Sequence, residues 1–330
     1  MEYIRPPFKI DIAGTFLLPP SLKDAQEQYR DGRISKITLR AIEDAEIRNL
    51  IEKLKIIGLE VVTDGRFRNA SWPFDFMWNL EGIESCDIRR NALKLIGRLG
   101  FPSIHPILED FMYLTGITGG DVIAKQVLPA PSLLLAELLS NDNCEQLRVF
   151  YPDNELLLAD IAKVYQKLIQ ELYTLGCRYV QFDDNTRVIT PEAIEVNNMS
   201  LVGHAPDLFV AFHASAQMLS SLNGVDAFFL DYNNESCGKT SLLWFIREQK
   251  ATFGFIPSHY PLPDELDDIY EAIDEVTSYI SLDRLSLCVP NAQILSNEDY
   301  EIAQKKQWDT LNMAKVAVTK LWPEEAVVEK

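Results

Sequence analysis

The sequence predicts an α/β protein of the (β/α)₈ TIM-barrel class, and three observations carry this prediction. Short apolar runs alternate along the chain with helical patterns, which is typical of parallel strands that helices cover on the outside. Polar residues follow several of these runs, and in parallel sheets functional side chains gather at the carboxyl ends of the strands. A chain of 330 residues with 47% hydrophobic content also has the size of one such barrel. We therefore predict a single domain over residues 1–330.

Eight apolar runs, each of strand length, are predicted to form the barrel wall. They cover residues 10–13, 59–63, 122–128, 178–182, 208–212, 227–230, 251–255 and 285–289. Helical patterns are predicted at 35–57, 153–175, 214–222, 239–249, 263–280 and 298–321. Gly58 directly follows the first of these helices, and this is typical of a helix end because glycine readily adopts positive φ.

The segment 66–121 is too long for a plain connection between a strand and a helix. It contains Trp72, Trp78 and the glycine pair Gly119-Gly120. We expect this excursion after the second strand to pass over the top of the barrel as a hairpin and a helix. A homodimer surface on the same segment is the alternative interpretation.

Composition bounds the partners of this chain. There are 31 basic and 49 acidic residues, which gives a net charge of −18 with neutral histidines. Nucleic acids and anionic membrane surfaces require a basic footprint, so neither is an expected partner. The five cysteines are widely spaced, with no CxxC motif, and residues 1–9 have no apolar signal-peptide core. These features predict a cytoplasmic protein without disulfides.

Polar residues at the predicted strand ends indicate one active site for a small-molecule substrate. Asp183 and Asp184 follow the fourth strand, His213 follows the fifth, and Asp231 follows the sixth. Carboxylates and imidazoles can ligate a metal ion or transfer a proton, so these side chains predict an enzyme. Lys125, near the end of the third strand, is expected to bind a substrate carboxylate or the glutamate tail of a folate.

Four stretches give the chain a resemblance to a known family. They read Asp-Ile-Ala-Gly-Thr-Phe at 11–16, Val-Thr-Asp-Gly-Arg-Phe-Arg at 62–68, Tyr-Val-Gln-Phe-Asp-Asp at 179–184 and Phe-Leu-Asp-Tyr-Asn-Asn-Glu at 229–235. In this order and spacing, the chain resembles the catalytic C-terminal barrel of cobalamin-independent methionine synthases, in the short form that consists of that barrel alone. The resemblance extends over about residues 8–322. It implies methyl transfer from a methylated folate to a thiol bound on zinc.

The zinc ligands of that family are only partly present. Where the family has a His-x-Cys pair, this chain reads His213-Ala214-Ser215, and Asp231 stands in place of a glutamate. Near the last strand, where the family has a cysteine, the chain reads Pro-Asn-Ala-Gln at 290–293. A serine hydroxyl stays protonated and is a poor replacement for a thiolate ligand. The resemblance therefore implies a degraded zinc site.

The substrate-binding positions that the resemblance implies are also changed in part. Thr15 stands where the family has the serine of a carboxylate clamp, and Asp183 matches the aspartate that holds the substrate amine. Arg66 stands where a glutamate would help to bind that amine. Because a guanidinium group prefers a carboxylate or a phosphate, we expect a substrate other than homocysteine in the usual pose.

Four hypotheses about the function stay open. The first is a divergent methyl- or alkyltransferase that acts on sulfur or a related nucleophile of a small amino-acid-like or carboxylate substrate, with zinc held through Cys288 or Cys237. The second is a site of two histidines and one carboxylate, formed by His213, Asp231 and His259, for Fe(II) or zinc.

The third hypothesis needs no metal. Asp183, Asp184, His213 and Arg66 would run acid–base chemistry in a lyase or decarboxylase, similar to the uroporphyrinogen decarboxylases. The fourth is a retired enzyme that keeps a binding role. The resemblance favours the first hypothesis, a transferase.

Overall fold

The strands of the computed structural model form the parallel wall that the sequence predicts. The structure describes residues 8–87, 92–140, 144–184, 189–213, 218, 220–230, 246, 248–254, 266–289 and 299–323. Its strands are β1 (Ile10–Ile12), β2 (Val61–Val62), β3 (Glu81–Asp87), β4 (Ala92–Gly100), β5 (Ile123–Ala124), β6 (Gln126–Pro129), β7 (Tyr179–Asp183), β8 (Phe209–His213), β9 (Ala227–Leu230), β10 (Lys250–Phe253) and β11 (Leu285–Val289). Each of the eight predicted strands is confirmed, the third one as the two segments β5 and β6.

The barrel wall runs continuously from strand to strand. Seven strands pair in parallel in the order β1-β11-β10-β9-β8-β7-β6, and β2 pairs in parallel with β5. Beyond β1 and β2, the Thr63 hydroxyl donates to the Gly14 carbonyl at 3.2 Å, and the Phe16 N–H donates to the Gly65 carbonyl at 3.2 Å. These two hydrogen bonds connect the loops after β1 and β2, neighbouring strands that belong to different sheets. The α/β barrel class is therefore confirmed.

Helices pack around this wall. They are α1 (Pro20–Arg30), α2 (Lys36–Ile57), α3 (Phe74–Met77), α4 (Pro106–Thr118), α5 (Pro131–Leu138), α6 (Cys144–Phe150), α7 (Asn154–Thr174), α8 (Pro191–Ser200), α9 (Asp267–Thr277) and α10 (Tyr300–Leu321). The predicted helix 35–57 is confirmed as α2: Ser35 caps its first turn, and Gly58 ends it with φ 89°. The helices predicted near 214–222 and 239–249 fall mostly outside the described residues. None of the helices in the described ranges has the length and apolar character that crossing a membrane requires.

The excursion after β2 contains the hairpin and the helix expected from its length. β3 and β4 pair in an antiparallel manner, and α4 follows them. The Arg98 guanidinium on β4 forms two parallel hydrogen bonds, each at 2.8–2.9 Å, with the carboxylate of Asp160 on α7. The Leu99 N–H also donates to the Tyr151 hydroxyl at 2.6 Å. These contacts fix the hairpin against the helices that surround β6 and β7.

Candidate active site

Asp183 and Arg66 form the centre of the candidate site. Asp183 is the last residue of β7, and Arg66 lies in the loop that follows β2. One terminal nitrogen of Arg66, Nη2, donates to Asp183 Oδ2, and each side chain is only 12% exposed. The structure therefore brings together two predicted substrate-binding residues as a largely buried ion pair at the carboxyl ends of the strands.

The loop around Arg66 holds its guanidinium group in place. Arg66 has φ 59°, which residues other than glycine rarely adopt, and its backbone N–H donates to Asp64 Oδ1 at 3.0 Å. The Trp72 ring lies 4.1 Å from the guanidinium carbon and stacks on it. The sequence alone predicts Trp72 only as part of the excursion and not as a partner of Arg66.

A cluster of charged residues behind this loop anchors it to two helices; we call it the Arg68 cluster. Arg68 lies 2.7 Å from Asp44, 3.4 Å from Glu43 and 3.4 Å from Asp110. Arg40 also contacts Asp110, at 2.5 Å. Because Asp44 is on α2 and Asp110 is on α4, the cluster ties the loop that carries Arg66 to both helices. Burial raises the pKa of Glu43 to about 7, against the opposing effect of Arg68 and Arg40.

His213 lies next to Asp183 on the neighbouring strand. It ends β8, opposite Asp183 in the register of the two strands, and its side chain is 29% exposed. Its Nδ1 is 3.8 Å from Asp183 Oδ1, which is too long for a hydrogen bond but close enough for electrostatic coupling. The structure thus places His213, Asp183 and Arg66 side by side.

Thr15 and Asp184 have different surroundings. Thr15 follows β1 and is half-buried, and the backbone of the next residue, Phe16, is hydrogen-bonded to the Arg66 loop at Gly65. Asp184 accepts a hydrogen bond at 2.5 Å from the hydroxyl of Ser132, at the start of α5, and its own N–H donates to the His213 carbonyl at 2.8 Å. The Asp184 carboxylate is therefore engaged with α5, while Asp183 contacts Arg66.

Lys125 lies inside the barrel and not at its rim. The residue is 1% exposed, and its ammonium group donates to Asp11 Oδ1 at 2.5 Å, to the Ile12 carbonyl at 2.5 Å and to Gln181 Oε1 at 2.7 Å. These three acceptors use all three N–H bonds of the ammonium group. Its link to the site runs through Gln181, whose Nε2 donates to Asp183 Oδ1 at 2.7 Å. The expectation that Lys125 meets a substrate at the rim does not match this position.

The described residues supply one of the predicted metal ligands. His213 is 29% exposed at the end of β8, whereas Asp231, His259, Ser215 and Cys237 lie outside the described residues. Within the described part of the chain, no three His, Cys, Asp or Glu side chains are grouped to hold a metal ion. Cys288 is 5% exposed, lies in β11 opposite Asp11 and packs in the barrel interior with Tyr179 and Phe229. The buried position of Cys288 does not support the role of zinc ligand that the first hypothesis gives it.

Comparison with known proteins places this geometry in context. No protein-family model matches the sequence. The Bacillus subtilis protein YxjG is 28% identical, with 96% of this chain and 96% of YxjG covered. A crystal structure from Listeria monocytogenes, whose assignment as a vitamin-B12-independent methionine synthase is provisional, is 28% identical and superposes with a TM-score of 0.79 over 97% of this chain and 99% of its own. Methionine synthase from Pyrococcus horikoshii is 23% identical, over 73% of this chain and 72% of its own.

These comparisons confirm the resemblance to the barrel of vitamin-B12-independent methionine synthases. The similarity to the Listeria structure spans nearly the full length of both chains, which is consistent with the short form that has the barrel alone. A methionine-synthase-like barrel supports a methyltransferase-like enzyme and leaves the substrate and the specific reaction to be determined.

Proposed function

We propose that the chain is a methyltransferase that acts on a thiol, or a related nucleophile, of a small amino-acid-like substrate. The observation that carries this proposal is the Arg66–Asp183 pair beside His213 at the strand ends. In this proposal the substrate carboxylate binds Arg66, the substrate ammonium binds Asp183, and the nucleophile lies near His213. The methyl donor is a methylated folate, as the resemblance to methionine synthases implies.

The charge of the ion pair favours a zwitterion. A ligand with only a carboxylate that drew Arg66 away would leave the buried Asp183 carboxylate without its cation. A ligand with only an ammonium group would leave Arg66 unpaired in the same way. An amino acid carries both charges, so each protein group exchanges one partner for another and the site stays neutral. A charge-assisted hydrogen bond contributes about 1.5–3 kcal/mol, so each missing charge should weaken binding at least tenfold.

The transfer step balances without further reactants. The thiol loses its proton, the sulfur electron pair forms a bond to the methyl carbon, and the bond from that carbon to the donor nitrogen breaks. The donor nitrogen keeps the electron pair and takes up one proton. His213 is proposed to accept the thiol proton. A zinc ion on His213, with Asp231 and His259 as further ligands, would lower the pKa of the thiol.

Three thiols of nearly equal length test the binding mode. Homocysteine carries both charges, 4-mercaptobutyrate lacks the ammonium group, and 3-mercaptopropylamine lacks the carboxylate. By titration calorimetry we expect homocysteine to bind at least tenfold more tightly than either analogue. Arg66→Gln should remove the advantage over 3-mercaptopropylamine, and Asp183→Asn the advantage over 4-mercaptobutyrate. S-methylation of the preferred thiol by methyltetrahydrofolate is followed by mass spectrometry.

The chain offers a matched control arginine. Arg178 also stacks on an aromatic ring, that of Tyr173 at 4.0 Å, and also pairs with an aspartate, Asp207 at 3.2 Å. It precedes β7 and so lies at the opposite end of that strand from Asp183. Arg178→Gln should leave all three affinities unchanged. If Arg66→Gln weakened the three thiols by the same factor, or changed none of them, the proposed binding mode would be wrong.

A further inference from the structure

A chain of hydrogen bonds runs through the barrel interior and ends on Asp183. The Tyr179 hydroxyl donates to Asp11 Oδ2 at 2.5 Å, and Asp11 Oδ1 accepts from the Lys125 ammonium. The same ammonium donates to Gln181 Oε1, and Gln181 Nε2 donates to Asp183 Oδ1. Each member of this chain is less than a tenth exposed. The ion pair in the barrel interior is thereby connected to the ion pair at the strand ends.

The direction of this chain is fixed by the chemistry of Lys125. An ammonium group has only donors, so the Gln181 amide must turn its oxygen towards Lys125. Its nitrogen then faces the opposite way. It donates one hydrogen to Asp183 Oδ1, at an N···O distance of 2.7 Å, and the other to the Ala13 carbonyl, at 3.1 Å. With the amide reversed, a nitrogen would face the ammonium and an oxygen would face a carboxylate. Both contacts would then be repulsive.

The contacts of Asp183 show what this orientation does at the site. Oδ1 receives the Gln181 N–H and faces His213 Nδ1, while Oδ2 receives the Arg66 guanidinium. Gln181 therefore holds the Asp183 carboxylate in the rotation in which one oxygen accepts from Arg66 and the other faces His213.

We infer that Gln181 is a positioning residue for Asp183 and that Lys125 acts on the site by fixing the orientation of Gln181. The consequence for binding rests on the proposed function, in which Asp183 accepts the substrate ammonium. Gln181 touches no substrate in this arrangement. Its loss should impair recognition of the ammonium group and spare recognition of the carboxylate.

The test uses Gln181→Met, which keeps the length of the side chain and removes the donor to Asp183. We expect affinity for homocysteine to fall about tenfold, and affinity for 4-mercaptobutyrate to stay within twofold of the wild-type value. A residue with a merely structural role would weaken both thiols alike, and that result would overturn the inference. Gln126→Met, one strand away on β6, is the matched control and should change neither affinity.

A second measurement does not depend on any ligand. In the wild type the Asp183 carboxylate faces Arg66 and His213. Crystal structures of Gln181→Met and Gln181→Glu should show this carboxylate rotated out of that position. Gln181→Glu keeps an acceptor for Lys125 and is expected to fold even if Gln181→Met does not. An unchanged Asp183 in the variant structures would refute the positioning role. If the wild-type protein bound none of the thiols, the proposed function would fail, and the crystal structures alone would decide the role of Gln181.

Discussion

We expect two buried titratable groups near α4, Glu43 and His105, to offset each other's effect on the unfolding free energy as the pH falls. Substitution of Glu43 should remove this compensation and make the protein sensitive to acid. Burial raises the pKa of Glu43, in the Arg68 cluster, from 4.5 to about 7. Burial lowers the pKa of His105, which precedes α4, from 6.5 to about 4. His105 is 2% exposed; its Nδ1 accepts from the Ile107 N–H at 3.2 Å, and its ring stacks on Phe101. The neutral imidazole thus caps α4, and protonation would remove the acceptor.

The two groups act in opposite directions over the same pH range. The pKa of Glu43 is higher in the folded state, so its contribution to stability is complete below pH 4.5 and is lost as the pH rises through about 7. The pKa of His105 is lower in the folded state, so its contribution is complete above pH 6.5 and is lost as the pH falls through about 4. One pKa unit corresponds to about 1.4 kcal/mol, so each contribution amounts to about 3 kcal/mol. Between pH 4.5 and 6.5 the two slopes offset each other.

We therefore predict that Glu43→Gln makes the protein acid-sensitive. Relative to the wild type, the variant should lose about 3 kcal/mol of unfolding free energy between pH 7.5 and pH 4.5, because only the His105 contribution remains to vary. Urea unfolding, followed by tryptophan fluorescence at several pH values, measures the difference. Glu52→Gln, an exposed position on the same helix, should follow the wild-type profile. A Glu43→Gln difference that is equal at both ends of the range would refute the reasoning.

Two further predictions concern the barrel interior and the strand ends. Lys125→Met should cost about 3–5 kcal/mol of unfolding free energy, measured by urea unfolding, because it leaves Asp11 as a buried unpaired charge. The double variant Lys125→Met with Asp11→Leu should recover part of that loss, and a double variant less stable than Lys125→Met alone would contradict this prediction. The metal content of protein purified without chelator is measured by elemental mass spectrometry, with zinc expected for the transferase and Fe(II) for a redox site. His213→Ala should lose this metal, whereas Ser215→Ala should retain it. Full metal content in His213→Ala would rule out His213 as a ligand.

The barrel could be predicted from the sequence because its strands are covered on both sides. Runs such as Phe209–His213 are nearly all apolar, and their length and spacing determine the class without any knowledge of contacts. Four helices outside the excursion were not predicted, namely α1, α5, α6 and α8. Three of them, α1, α5 and α8, begin with Pro20, Pro131 and Pro191. At the start of a helix the missing N–H costs nothing, so a proline there does not exclude a helix.

The site was predictable only as far as strand ends determine it. Asp183 and His213 end adjacent strands, so the parallel order alone brings them together. The place of Lys125 depends on Asp11 and Gln181, which are 114 and 56 positions away in the sequence. Contacts between residues so far apart in the sequence produce no local sequence pattern. A lysine near a strand end is usually at the rim, and here the cost of burying it is offset by three oxygen acceptors.

The exchange of one acid for Arg66 changes the site because Asp183 is retained. In the methionine-synthase pattern, a glutamate and an aspartate would present two negative charges to a substrate ammonium group. Here the pair of Arg66 and Asp183 sums to zero, inside a protein whose net charge is −18. Such a pair has no net attraction for a simple anion or cation. In the proposed binding mode it favours a ligand whose carboxylate replaces Asp183 beside Arg66 and whose ammonium group replaces Arg66 beside Asp183. In the proposed function, the ion pair would therefore select substrates that carry both charges, and Gln181 would hold Asp183 in the orientation that this selection requires.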